Sequence, residues 1–180
     1  SGVIHVLSHR LLFLGKHRPI LKENFDFAII DCPPNLYATT QNAICISDYL
    51  VVPCIADDLS TMGMRLLLRE INSTAQRLKK SERVDSTPEL LGIVLSRYRD
   101  VIEYRDHGKA AISGALNFFK KHQKSIFITS KSRFFEEQPV REYVDHARAV
   151  RENRPMCLYG GTSNAKSDIS ELTEALIDAI

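Results

Sequence analysis

Short, continuously apolar runs alternate along this chain with longer stretches whose apolar residues recur every three or four positions. The short runs are Val3–Leu7, Phe27–Ile30, Tyr49–Val52, Leu91–Leu95 and Ser125–Thr129. Each is bounded by turn or helix signals, as strands covered on both faces are. The clearest helical stretch is Thr61–Lys80, with Met64, Leu67, Leu68, Ile71, Ala75 and Leu78 on one face. Ser60 or Thr61 is placed to cap it, and Lys79 and Lys80 suit the negative end of its dipole. Further helices are expected over Asp106–His122 and Val140–Val150. A last one starts near Ser167, with Asp168 and Glu171 spaced as a partial capping box. Strand and helix in this alternation predict an α/β fold, a doubly wound, mostly parallel sheet with helices on both faces. Residues 1–180 show no domain boundary: the one linker-like stretch, Ser81–Pro88, is short and reads as a loop.

Composition narrows the class. The chain has 180 residues, 44% hydrophobic and 26% charged, which excludes disordered, collagen-like and disulfide-scaffold proteins. No apolar run approaches the ~18–20 residues of a spanning helix, and no secretory leader is visible. Net charge is +2, from 24 basic and 22 acidic residues. Residues 97–151 hold 12 Lys/Arg and 7 Asp/Glu, +5, so the basic excess lies in the second half. That permits an anionic partner without requiring one. Cys32, Cys45, Cys54 and Cys157 form no CxxC pair and read as buried, reduced thiols of a cytoplasmic protein. His5 and His9 lack a third ligand and read against a metal site.

In a parallel α/β sheet, ligands bind beyond the carboxyl ends of the strands. That rule points to Asp31–Asn35, Pro53–Asp58, Ser96–Arg99 and Ser130–Arg133. The segment Phe27–Leu36 reads FAIIDCPPNL: an apolar run ending in Asp31, then two prolines that stop any ladder. A carboxylate there either caps the next turn or faces a cation's water shell. Asp57 and Asp58, just before a helix, suit its N-terminal dipole.

The run DFAIIDCPPNLYATTQNAICISDYLVVPCIADDLSTMGMRLLL resembles the ParA/Soj/MinD partition ATPases, the deviant P-loop family. The matching parts are Asp31-Cys32-Pro33-Pro34, the small-residue helix Thr39–Ile46, the strand Leu50–Pro53, Asp57-Asp58 and the helix from Ser60. Gly92–Tyr98, Arg133–Glu137 and the turn Glu152–Met156 look like the family's later strand, last loop and turn. The resemblance implies Mg2+-dependent ATP binding and hydrolysis driving chromosome or plasmid partitioning. It further implies an ATP-dependent homodimer, a ParB-like partner and a cytoplasmic, nucleoid-associated location without membrane docking. By the same resemblance Asp31 would hold Mg2+ through water, and Pro33 and Pro34 would set the switch after it. Ser96 and Arg97, with Thr129, Ser130 and Lys131, would contact the nucleotide. Relatives bind DNA without sequence preference through basic residues, which here would be Arg97, Arg99, Arg105, Lys109, Lys120, Lys121 and Lys124; a solvated helix face explains them equally.

The phosphate loop GxxxxGK[ST] has no match in these 180 residues. The nearest run, GGTSNAKS at Gly160–Ser167, has Ala165 where the second Gly belongs and reads as a loop capped by Ser167. The resemblance therefore implies the C-terminal part of a ParA-type ATPase domain, truncated before its P-loop and catalytically silent alone. The alternative is a non-enzymatic module that binds DNA or a protein partner.

Overall fold

The computed structural model describes residues 26–33, 35, 37–80, 88–99, 101, 106, 108–122, 127–159 and 163–180. Among them the order is α1 (Ala38–Ile46), β1 (Tyr49–Cys54), α2 (Asp58–Lys80), β2 (Glu89–Tyr98), α3 (Lys109–His122), β3 (Arg133–Arg141), α4 (Val144–Arg151), a single 3-10 turn at Met156–Leu158, and α5 (Asn164–Ile177). The three strands form one parallel sheet in the order β1-β2-β3. This is the α/β arrangement the apolar pattern predicts, a parallel sheet with helical crossovers.

The sheet is organised around β2. Leu90 to Leu95 are buried without interruption. Successive side chains of a strand point to opposite faces, so both faces of β2 are covered. Val52 and Cys54 of β1 and Ile93 and Leu95 of β2 share a core with Met64, Leu68 and Ile71 of α2 and Ile112, Leu116 and Phe119 of α3. On the predicted face of α2, Met64, Leu68, Ile71 and Ala75 are buried, while Leu67 is partly exposed. Gly92 sits where a side chain has no room: a Cβ there would collide with the Phe135 ring and lie 2.6 Å from the Arg133 carbonyl oxygen.

Several elements depart from the sequence expectation, each for a physical reason. Asp57, not Ser60 or Thr61, caps α2: its Oδ1 accepts the Ser60 backbone N–H at 2.6 Å, and the helix starts at Asp58. Helix α5 starts before Ser167, because Ser163 Oγ accepts the Lys166 N–H. Ser167 lies inside the helix and donates to Glu171. Val140 belongs to β3 and not to a helix; α4 begins at Val144. Phe27–Ile30 is not a strand: Ile29 is 94% exposed, and no described strand pairs with the segment. Apolar continuity signals burial, but a strand also needs a neighbour for its amides.

Phe127 and Ile128 are buried but belong to a connector, which touches β2 through Leu90 N–H to the Phe127 carbonyl at 2.6 Å. The third strand is instead Arg133–Arg141, whose two glutamates and proline argue against a central position. An edge position tolerates them. Between Val94↔Phe135 and Ser96↔Val140 the register slips, one residue of β2 facing four of β3, with Pro139 in the displaced piece. Val3–Leu7, the His5/His9 pair, Pro34, Arg105 and Lys124 lie outside the described residues.

A glycine pair tests this packing. Gly92→Ala is expected to destabilise by about 1–3 kcal/mol through overpacking. Gly63, in α2, has nothing within 4 Å of the point where a Cβ would stand, and its change to Ala is expected to gain up to about 1 kcal/mol. Urea denaturation of the two variants reads both signs.

Candidate functional site

The carboxyl end of β2 gathers a connected cluster of polar side chains. Ser96 is half-buried, and Arg97 follows with φ +50, a left-handed conformation rarely adopted by a non-glycine residue. That turn coincides with the register slip against β3. Arg97 Nη2 donates to Glu142 Oε1 at 3.0 Å, and Arg99 Nε to Glu142 Oε2 at 2.5 Å. The Glu142 N–H in turn donates to the Tyr98 carbonyl at 3.0 Å, extending the strand pairing. One carboxylate thus holds two guanidinium groups. Hydrogen bonds first from Arg99 and then from Arg97 keep the Glu142 carboxyl below the ordinary glutamate range.

Lys109 opens α3 beside this cluster. Its Nζ donates to the Glu136 carbonyl at 3.1 Å and lies 5.5 Å from the Tyr98 ring centroid. The Glu136 carbonyl belongs to the displaced stretch of β3, so the lysine takes up an acceptor from the interrupted ladder. Gly108 packs against the chain just past β1: a Cβ there would collide with the Ala56 carbonyl oxygen.

Beyond β3, Asp168 of α5 is 4% exposed and accepts twice from Arg141: Oδ1 from Nη1 at 2.8 Å and Oδ2 from the backbone N–H at 2.9 Å. A buried carboxylate needs such pairing. The local pattern assigns Asp168 to a capping box; its contact with Arg141 has no local signal, since 27 residues separate the two. Glu142 carries no sequence signal either.

The residues expected to contact a nucleotide do not come together. Ser96 and Arg97 close β2. Thr129, Ser130 and Lys131 lie at its opposite end, because they lead into β3 and a parallel strand starts where its neighbour starts. Thr129 Oγ1 hydrogen-bonds Glu89, the first residue of β2. Glu89 and Ser96 are seven residues apart, roughly 23 Å at a rise of about 3.3 Å per residue. The Thr129 amide is held by Ser132 Oγ at 3.0 Å, and Ser132 is buried.

Asp31 and Pro33 precede α1. Asp31 is exposed and has no hydrogen-bonding or ion-pair partner among the described residues. Pro33 is half-buried, and its carbonyl accepts the Asn35 N–H at 2.8 Å. A free carboxylate of this kind is a chemically fitting outer ligand for Mg2+, a hard cation that keeps its waters. Among the described residues no group of three His, Cys, Asp or Glu could hold a metal by itself.

The basic set expected to meet DNA is split the same way. Arg97, Arg99 and Lys109 stand at the carboxyl end, Lys120 and Lys121 at the far end of α3. Of the described cysteine side chains only Cys54 is buried; Cys32 and Cys157 are exposed, contrary to the expectation from their apolar neighbours. Burial, then the Asp57 charge, pushes the Cys54 thiol up to about 11.

Comparison with known proteins bears on the family. The family model described as an AAA domain (AAA_31) matches residues 4–84. The chain is 36% identical over 58 residues to the sporulation initiation inhibitor protein Soj of Bacillus subtilis, covering 32% of this chain and 23% of that protein. It is 32% identical over 62 residues to the chromosome-partitioning ATPase Soj of Treponema pallidum, covering 34% and 24%. Against a ParA family protein of Mycoplasma pneumoniae it is 25% identical over 162 residues, 89% of this chain and 53% of the other. Over these stretches the chain is similar to ParA family proteins. It spans from 23% to 53% of the length of these three relatives. No solved structure matches it. No helix among the described residues is long and apolar enough to cross a membrane.

The Glu142 clamp is directly testable. Its stabilisation is complete above the ordinary glutamate pKa of about 4.3 and is lost as pH falls through the lower folded value. A carbon-13 titration of the side chain should place its midpoint below that of an ordinary glutamate. Arg99→Ala should raise the midpoint more than Arg97→Ala does.

Proposed function

We propose that residues 1–180 are part of a single ParA-type ATPase domain whose whole protein binds and hydrolyses ATP with Mg2+ to drive chromosome or plasmid partitioning. The observation that carries the reading is the likeness to the two Soj proteins and the ParA family protein, together with the family match over residues 4–84. Asp31, with its free carboxylate, would hold Mg2+ through water, and Pro33 and Pro34 would set the chain's course after it. Bound Mg2+ supplies charge neutralisation at the phosphates. Ser96 and Arg97 are the base-contacting candidates, because they stand at the carboxyl end of the sheet, where the ligand rule places a nucleotide. Thr129, Ser130 and Lys131, at the other end, would contribute only to a different site. Nucleotide-dependent homodimerisation, a ParB-like partner and association with nucleoid DNA in the cytoplasm belong to the same proposal.

Full-length protein from the source organism is the material for the test. Asp31→Ala should lower Mg2+-dependent ATP turnover by about 10–100-fold, the usual cost of losing an outer-shell partner. Unchanged turnover would remove Asp31 from the metal site. The 180-residue chain alone should show none, since it contains no GxxxxGK[ST] loop.

A second reading, a module that binds DNA or a protein without nucleotide, rests on the exposed basic residues Lys120 and Lys121 at the end of α3. DNA affinity carried by Lys120 and Lys121 should fall with salt by nearly one logarithmic unit per phosphate contacted. Retention on DNA that ignores nucleotide in the full-length protein would favour the module.

A further inference from the structure

The geometry points to a second anion site, at the amino end of the sheet, that takes a small phosphorylated molecule. An open cavity of about 690 Å3 lies between α3, the turn before β3 and the residues after α5. Lys120, Lys131 and Arg133 line it, with Ser113 and Asn117 as neutral donors and Asp178 as the one acidic side chain. Ser113, Asn117 and Lys120 share a face of α3 at four- and three-residue spacing, so they present one polar stripe to the cavity. Leu116 forms part of the wall and is itself buried.

Three cationic side chains stand against one carboxylate side chain, and in the 180-residue chain the terminal carboxylate of Ile180 brings the lining to +1. Lys120 has a structural reason to be there: it stands in the last turn of α3, and its Nζ donates to the Ser130 carbonyl at 3.4 Å. Lys131 and Arg133 have no such reason. Neither is on a helix, and neither has an ion-pair partner among the described residues. The turn carrying Lys131 is held firmly, its amide by Thr129 Oγ1 at 3.1 Å and its neighbour Ser132 by the Thr129 carbonyl. Cations from the end of α3, the fixed turn and the start of β3 line one cavity with hydroxyl and amide donors, an arrangement that suits an oxyanion accepting several hydrogen bonds at once. The volume falls within the range of small-molecule sites. A concave cleft of that size favours a compact phosphate group over a duplex, which needs an extended surface. The site is separate from the carboxyl-end cluster and independent of the ATPase reading.

The probe is inorganic pyrophosphate, titrated into the purified chain and followed by phosphorus-31 NMR and calorimetry. Saturable binding is expected. Lys131→Ala and Arg133→Ala should each weaken it by about tenfold or more, as loss of a hydrogen bond to a charged group does. Arg99→Ala, at the opposite end, should leave it unchanged. Asp178→Asn should tighten binding severalfold by removing the opposing charge, a gain that a misfolded variant cannot mimic. No saturable binding at millimolar pyrophosphate, or equal loss in Arg99→Ala, would overturn the proposal. So would a DNA duplex that binds these residues without competition from pyrophosphate, which would make the face a nucleic-acid surface.

Discussion

A parallel strand with neighbours on both edges leaves its side chains no route to water, and β2 imposes that constraint on everything around it. The buried run from Leu90 to Leu95 requires a covering layer on each face of the sheet. Helices α2 and α3 supply one, through Leu68, Ile71, Ile112 and Phe119. The lack of a side chain at Gly92 lets Phe135 of β3 come closer than an alanine would permit. Fully burying one leucine or isoleucine contributes about 1.5–3 kcal/mol, so this strand and its covering helices dominate the apolar stabilisation of the unit.

Regular pairing ends with that packing, and the polar cluster begins there. After Val94 the register with β3 slips, Arg97 turns left-handed, and the freed Glu136 carbonyl is taken by Lys109. A strained non-glycine residue costs on the order of 1–3 kcal/mol and persists where its surroundings over-determine it. Here the surroundings are Glu142 and its two arginines. Those arginines are consequently not naked charges: an anion arriving at this end must compete with Glu142 for them.

Much of the fold was legible because it rests on local patterns. The α2 face, the cores of β1 and β2 and the parallel α/β class follow from spacing alone. Beyond that, local pattern ran out. Phe27–Ile30 has the composition of a buried strand, yet pairing is a property of two segments and not of one. The third strand carries Glu136, Glu137 and Pro139, which mask its character until its edge position is known. Placing β3 there moves Thr129–Lys131 to the amino end of the sheet, which no motif could reveal. The contacts that define the site, Arg97 and Arg99 with Glu142 and Arg141 with Asp168, join residues far apart in the chain and have no signature within any window.

The Arg141–Asp168 contact has a topological effect. It closes the backbone between β3 and α5 into a ring fastened by two hydrogen bonds from one residue, the guanidinium and the amide of Arg141. A protease that cut the exposed stretch around Glu152–Arg154 would sever the polypeptide inside that ring without freeing its ends. Helix α5 also lies along β3, so the nicked protein would elute as an intact particle and separate into two fragments only in denaturant.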